Sequence, residues 1–151
     1  ISLLGLHNYV VNSTKEQVFE GSGFLRRELS LRLRHLDCRL KKISCGSKRL
    51  AAAIDPTVRM HREVAERLQQ CELCPERKWG SVISFSDELR SVSGRLEQDL
   101  SRLVSEAQQL AGQGPGDEWD RCMDVAQFHM VIWRLVVSEH LRAVDFLGGP
   151  P

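Results

Sequence analysis

The chain has 151 residues, of which 42% are hydrophobic and 27% charged, and its 21 basic and 20 acidic residues leave a formal net charge of +1. This composition indicates one globular domain that can bury a core without a disulfide scaffold or structural metal, and it excludes a disordered or collagen-like chain. No stretch approaches the ~18 consecutive apolar residues of a membrane span, because Arg134 interrupts the longest candidate, residues 130–137.

The N-terminal part of the sequence predicts a short helix followed by a long one. The short helix covers about residues 13–20, with Asn12, Ser13 or Thr14 as its N-cap. The long helix covers about residues 23–42 and ends at the Cys-Gly-Ser sequence 45–47. Its apolar residues recur at steps of three and four, which is typical of one buried helix face: Leu25, Leu29, Leu33, Leu36, Leu40 and Ile43.

A second long helix is predicted to begin at Asp55 and Pro56 and to end before Pro75. Asp55 is the expected N-cap, and Pro56 suits the first turn because its missing N–H has no partner there in any case. The residues expected to point inward are Val58, His61, Ala65, Leu68 and Cys71.

The third long helix, residues 86–110, has the most regular apolar spacing. Ser84 and Asp87 have the spacing of a capping box, and the glycines of residues 112–116 provide a stop signal. The apolar face consists of Leu89, Val92, Leu96, Leu100, Leu103, Ala107 and Leu110.

The last long helix is predicted from just after Pro115 to about Phe146. It has two apolar faces: Val125, Phe128, Ile132 and Leu135 on one, and Ala126, Trp133 and Val136 on the other. Because such a helix is apolar around much of its circumference, we expect it to lie centrally and contact several neighbours.

These elements predict an all-α fold, an antiparallel four-helix bundle with a short extra N-terminal helix. No alternating strand pattern competes with this interpretation. Residues 1–147 are predicted to form a single helical-bundle domain, and residues 148–151 a tail.

The cysteines and histidines form no pattern specific for a metal or a catalytic site. An odd number of cysteines favours a reducing compartment. Cys71 and Cys74 form the one CxxC pair, but zinc needs two further ligands at close range, so we interpret them as helix-end residues and keep metal binding as the alternative. None of the histidines forms a spaced metal pair: His7, His35, His61, His129 and His140.

No glycine-rich phosphate-binding loop is present in the sequence. Gly21, Ser22 and Gly23 are too short a motif for a P-loop, and residues 112–116 lack a preceding strand. We therefore predict no enzyme, no catalytic residue, no cofactor and no metal site.

A basic segment lies between residues 26 and 49, where nine basic residues stand against Glu28 and Asp37. Its helical part is the candidate interaction surface: Arg26, Arg27, Arg32, Arg34, Arg39, Lys41 and Lys42. A protein-facing or solvated surface is favoured over nucleic acid, since aromatic residues for base stacking are absent apart from Phe24.

The sequence resembles a known family at several positions along most of its length. Phe24, Leu25, Arg26, Glu28, Leu29 and Arg32 resemble the opening of the first long bundle helix in the mitochondrial pyruvate dehydrogenase kinase and branched-chain ketoacid dehydrogenase kinase family. Residues 85–89 resemble the start of that family's third long helix. The fourth helix of that family has an aspartate, an apolar residue, an arginine and a terminal histidine, and the residues at the same spacing here are Asp124, Phe128, Arg134 and His140.

The departures from this family bear on function. In those kinases the bundle precedes an ATP-binding domain, and the sequence ends at Pro151 before such a domain. Met130 stands where the family has an arginine, and residues 141–143 also differ. The resemblance places His140 facing the ATP-binding domain, and we expect it and the other matching positions to be structural.

The favoured hypothesis is a non-catalytic interaction module derived from a kinase bundle, an accessory subunit of a large mitochondrial assembly such as a respiratory complex, ATP synthase or mitoribosome. Its partners are then other protein subunits, with nucleic acid expected only in a ribosome-like particle. The alternative is a regulatory fragment of an active dehydrogenase kinase that binds a lipoyl-bearing domain, with Phe19 and Phe24 as the nearest apolar candidates. The resemblance implies a location in the mitochondrial matrix or at the matrix face of the inner membrane.

Overall fold

A computed structural model describes residues 14–71, 73, 78–113 and 116–148 of the chain. These residues form four α-helices: α1 Lys15–Ile43, α2 Lys48–Gln70, α3 Trp79–Leu110 and α4 Glu118–Gly148. The described part of the chain contains no β-strand. The predicted all-α four-helix bundle is thereby confirmed.

Consecutive helices run antiparallel, and α4 returns to pack against α1. The short segments 44–47, 71–78 and 111–117 join the helices, which brings their ends close together. A polar contact marks each side of the bundle: Asp37–His61 between α1 and α2, Glu63–Arg95 between α2 and α3, Arg90–Asp145 between α3 and α4, and Ser22–His140 between α4 and α1.

The segment predicted as a separate short helix forms the first turns of α1. Thr14 is the N-cap in a capping box, in which its hydroxyl accepts from Gln17 N at 3.3 Å and the Gln17 side chain accepts from Thr14 N at 2.9 Å. Residues 12 and 13, the other predicted caps, lie outside the described residues. Each interior glycine costs about 1 kcal/mol relative to alanine. The helix nevertheless continues through Gly21 and Gly23, since Val18 and Leu25 are buried on either side.

Helix α2 begins at Lys48, earlier than predicted. Ser47 is the N-cap and accepts from Leu50 N at 3.3 Å, so the predicted cap at Asp55 is wrong. Pro56 lies inside the helix rather than in its first turn. The burial of Leu50 and Ile54 favours this longer helix although proline removes one backbone hydrogen bond.

Helix α3 also begins earlier, at Trp79, and the predicted capping box at Ser84 and Asp87 is wrong. Lys78 is the N-cap and makes no side-chain capping hydrogen bond. Val82 and Phe85 are fully buried, so the apolar face extends into the additional turns.

Two clusters of apolar side chains form the core. The larger cluster runs through all four helices, with leucines of α1, α2 and α3 facing Trp133 of α4. The smaller one lies where the N-terminal turns of α1 and α3 meet the C-terminal turns of α4, and it contains Val18, Val82, Ala143 and Val144. Gly148, predicted as the first tail residue, is the last residue of α4, and residues 149–151 lie outside the described part.

No helix in the described ranges is long and apolar enough to cross a membrane.

Candidate functional site

One of the two predicted inward faces of α4 is only partly buried: Val125 and Ile132 are half-buried and pack against the core, whereas the other two residues of this face are exposed. Ala126, Trp133 and Val136 are buried as expected, whereas Phe128 is 63% exposed and Leu135 42% exposed. Within the ring of four helices, the extensive neighbours of α4 are α3 and α1. Two neighbours cannot cover a helix that is apolar around much of its circumference, so the prediction that α4 is covered on several sides is corrected.

A cavity lies between this face of α4 and α1, and two exposed apolar side chains of these helices, Leu31 and Val131, lie outside its lining. Leu31 of α1 is 47% exposed, and Val131 of α4 is 51% exposed. Glu28 and His35, about one turn before and after Leu31, line a cavity of about 300 Å³ together with other residues of α1 and α4. We define the α1–α4 groove as this cavity with its continuation towards the end of α1; its lining residues are Glu28, Arg32, His35, Leu36, Arg39, Lys42, Ile43, Arg121, Asp124, Val125, Phe128, His129 and Ile132.

The α1–α4 groove carries an excess of positive charge. In the described part of the chain, Arg32, Arg39 and Lys42 form no ion pair, whereas Arg121 is paired with Asp117 at 3.1 Å. Two acidic residues, Glu28 and Asp124, also line the groove. The groove therefore combines an apolar floor with arginine and lysine side chains that are available to an external partner.

The predicted basic surface is divided between two sides of α1. Arg32, Arg39 and Lys42 line the α1–α4 groove. Arg34 and Lys41 line a cavity of about 690 Å³ on the opposite side of α1, the α1–α2 groove.

The two remaining basic candidates behave differently from each other. Arg27 is exposed. Arg26 is half-buried and donates from Nη1 to the backbone oxygen of Cys71 at 2.5 Å, which ties α1 to the end of α2. The basic residues of the candidate interaction surface are therefore distributed over more than one side of α1.

A row of buried polar side chains crosses the bundle between the two grooves. Asp37 and His61 line the α1–α2 groove, and His61 Nδ1 lies 2.6 Å from Asp37 Oδ1. The His61 ring is 5.8 Å from the ring of His129, which lines the α1–α4 groove. His129 lies 5.9 Å from Trp133, whose Nε1–H donates to Ser93 Oγ at 2.9 Å. Sequence reasoning treated the two histidines separately and did not select Asp37 as a site residue.

The protonation of this row follows from burial. The Asp37 carboxylate accepts from His61 Nδ1–H, which leaves Nε2 of His61 as a buried nitrogen without a hydrogen-bond partner, and Nε2 of His129 is also unpartnered. Burial, together with smaller contributions from the neighbouring His61 and Arg32, lowers the pKa of His129 to about 3. His129 is consequently neutral near pH 7.

The row does not assemble a recognisable catalytic or metal site. Cys38 lines the α1–α2 groove but is exposed, and no hydrogen bond joins it to His61. Within the described ranges, no group of three or more His, Cys, Asp or Glu side chains is placed to hold a metal ion. Cys74, half of the CxxC pair, lies outside those ranges, and burial raises the pKa of the Cys71 thiol.

The residues that carry the family resemblance occupy four kinds of position. Leu25 and Leu29 are in the core, and Arg26 and Arg134 make polar contacts, Arg134 Nε lying 2.5 Å from Glu97 Oε1. Three others line the α1–α4 groove: Glu28, Arg32 and Asp124. Phe24 is exposed on α1.

His140 is buried at the contact of α1, α3 and α4. Its Nε2 lies 3.2 Å from Ser22 Oγ, and its ring packs edge-on against Phe85 at 6.0 Å. The single Ser22 hydroxyl proton is donated to Val18 O, so His140 Nε2–H donates to Ser22. Burial lowers the pKa of His140 to about 4, which keeps the ring neutral near pH 7.

Comparison with protein-family models, with curated proteins and with solved structures finds no match. No family is identified for this chain, and its resemblance to the mitochondrial kinases stays a prediction.

Proposed function

We propose that this chain is a non-catalytic interaction module, an accessory subunit that binds other protein subunits in a large mitochondrial assembly. The observation that carries the proposal is the α1–α4 groove, where the exposed Phe128 and the half-buried Val125 and Ile132 lie beside unpaired basic side chains. Large apolar side chains that share one exposed face are typical of protein-binding surfaces, whereas single exposed apolar residues need no explanation.

The arrangement of the titratable groups favours binding over catalysis. A general acid or base must reach a substrate from a cavity. His140 is buried against Phe85 and lines neither groove, and His129, which borders the α1–α4 groove, is a neutral, buried ring packed against Trp133. The one strong polar pair of the row, Asp37–His61, joins two helices. These contacts support a role in packing for the histidines.

The mitochondrial location and the type of assembly depend on the kinase resemblance. A respiratory complex, ATP synthase and a mitoribosome are the assemblies that we consider, with the chain at the matrix or the matrix face of the inner membrane. Binding to RNA is less favoured, because the basic side chains lie on two sides of α1 and the groove has one exposed aromatic side chain, Phe128, for base stacking.

Native purification from mitochondria of the source organism, followed by mass spectrometry of the co-migrating proteins, tests the proposal. We expect stoichiometric recovery of the chain in a complex of high molecular weight. Recovery within a longer polypeptide that migrates with a dehydrogenase complex would instead support the regulatory part of an active kinase that binds a lipoyl-bearing domain. Recovery as a free monomer would contradict both functions.

A further inference from the structure

We propose that the α1–α4 groove binds an acidic amphipathic helix of a partner protein. The inference depends on the proposed function, since it specifies the chemistry of the partner that an interaction module of this shape would bind. It also identifies which of the two grooves beside α1 is used.

The apolar surface has the length and spacing that a helix requires. Val125 and Ile132, the first and last apolar α4 residues that line the groove, are seven residues apart, which corresponds to about 10 Å along α4 at the helical rise of about 1.5 Å per residue. Val125, Phe128 and Ile132 line the groove and follow one another at steps of three and four, and Ile43 of α1 adds an apolar side chain towards the end of the groove. A partner helix with apolar residues at i, i+3 or i+4, and i+7 matches this surface over about two turns.

The charge of the groove selects an acidic partner. Arg32, Arg39 and Lys42 are spread over about three turns of α1 and have no ion-pair partner in the described part of the chain. Carboxylates that flank the apolar face of a bound helix would pair with these side chains, and opposite charges around an interface favour association and the correct orientation. The nearby Glu28 and Asp124 only partly offset the positive charge.

The same charges disfavour a second copy of this chain as the occupant. In a two-fold dimer through this face, the α1–α4 groove of one copy would meet that of the other, which would bring like-charged arginine and lysine side chains together.

The α1–α2 groove is a weaker candidate for an acidic helix because acidic side chains lie among its basic ones. Arg34, Lys41 and Arg62 line it together with Asp37 and Glu66.

The test uses three labelled synthetic helices of about 18 residues, a length at which an amphipathic sequence can form a helix. The first has leucines at i, i+3 or i+4, and i+7 with glutamates beside them, the second has lysines in place of the glutamates, and the third has the acidic composition in scrambled order. Binding to the whole chain is measured by fluorescence anisotropy. We expect the first helix to bind at least about tenfold more tightly than either control, and to weaken as salt is added. Equal binding of the three helices would overturn the inference.

Variants assign the binding to the groove. Phe128→Ser and Arg39→Glu change exposed side chains, so the fold should persist, as helical circular dichroism would check. Each should weaken binding of the acidic helix by about tenfold, because one removes an apolar contact and the other reverses a charge. Arg59→Glu is the matched control, since Arg59 is exposed on α2 and lines neither groove. Equal effects of Arg39→Glu and Arg59→Glu would exclude the groove as the binding site.

A cross-linking experiment separates failure of this inference from failure of the proposed function. A photo-reactive residue at position 128 is introduced into the chain, and the native assembly is irradiated. Cross-links to an acidic helical segment of another subunit support the inference. Cross-links to RNA, lipid or a second copy of the chain overturn the inference about the groove but leave the proposed function, membership of an assembly, in place. Binding of the acidic helix by a chain that is found only as a free monomer would instead overturn the proposed function.

Discussion

Asp37 and His61 join α1 to α2 through a hydrogen bond of 2.6 Å between Oδ1 and Nδ1, and the His61 side chain is fully buried. The bond fixes the proton of His61 on Nδ1 and orients the ring towards His129 in the bundle interior. This hydrogen bond therefore stabilises the fold because it gives the buried His61 Nδ1–H an acceptor, and not through attraction between exposed charges.

Replacing Asp37 with alanine should destabilise the protein by about 1–3 kcal/mol, because His61 Nδ1–H would lose its partner in the interior. The measurement is urea unfolding followed by circular dichroism. Asp55→Ala is the control, since Asp55 is exposed on α2, and its effect should stay within about 0.5 kcal/mol. Equal effects of the two substitutions would contradict this role of Asp37.

The stability of the protein should fall as the pH is lowered from about 6.5 to about 4.5. His129 and His140 have pKa values lowered to about 3 and about 4 by burial, whereas an unfolded histidine binds its proton near pH 6.5. In this range the unfolded state takes up protons that the native state does not, so each histidine contributes a slope of up to about 1.4 kcal/mol per pH unit. Urea unfolding at several pH values measures this slope.

Variants assign the pH dependence to the buried rings. His129→Gln or His140→Gln should reduce the slope, whatever its effect on stability at pH 7. Trp133→Phe removes the hydrogen bond to Ser93 without removing a titrating group, so it should lower stability equally across the range. The Glu63 carboxylate, whose pKa is lowered by its hydrogen bond to Arg95, loses its charge below pH 4.5 and affects a lower range. An unchanged slope in both histidine variants would contradict the assignment.

Thiol reactivity should separate the cysteines by burial. Cys122 is fully buried, and burial raises the pKa of its thiol to about 11, whereas Cys38 and Cys45 are exposed. Since the thiolate is the reactive species, iodoacetamide at pH 8 should modify Cys38 and Cys45 in the native protein and Cys122 only after unfolding. Peptide mass mapping with and without urea measures the difference. Rapid native modification of Cys122 would show that the bundle opens near the start of α4.

Replacing Pro56 with alanine should stabilise the protein by about 1–3 kcal/mol. Proline inside a helix removes a backbone donor and is about 3 kcal/mol less favourable than alanine, an effect partly offset by the greater freedom of the unfolded alanine chain. Thermal unfolding of the two proteins checks this prediction. Thr57→Ala is a comparison, since it removes the hydroxyl that accepts from Arg102 Nη2 at 3.1 Å and should lower the melting temperature. A lower melting temperature for Pro56→Ala would show that the proline fits this position better than alanine.

The apolar spacing of the sequence was sufficient to predict four long helices and the bundle, because side chains three and four residues apart must share a helix face. Local signals predicted the ends less well. Ser84–Asp87 and Asp55–Pro56 have the chemistry of helix starts, but burial of Val82, Phe85, Leu50 and Ile54 favours extending each helix beyond them. Packing energy from several buried side chains exceeds the contribution of one cap.

The candidate site was less accessible to sequence reasoning. The surplus of apolar residues on α4 is a signal that could have indicated an exposed face, because two neighbouring helices cannot cover so wide a surface. Residues seven apart, such as Arg32 and Arg39 or Arg34 and Lys41, lie on a common side of α1 by helical geometry alone.

By itself, the sequence determined the helices, their apolar faces and the basic character of α1, since these properties follow from spacing and composition along one chain segment. Only the tertiary structure decided that Arg32 and Arg39 border α4 while Arg34 and Lys41 border α2. It also decided that Asp37 meets His61 and that Phe128 faces outward. The physical reason is that these relationships depend on how the helices are arranged around a shared core, and many side chains distant in sequence contribute to that arrangement.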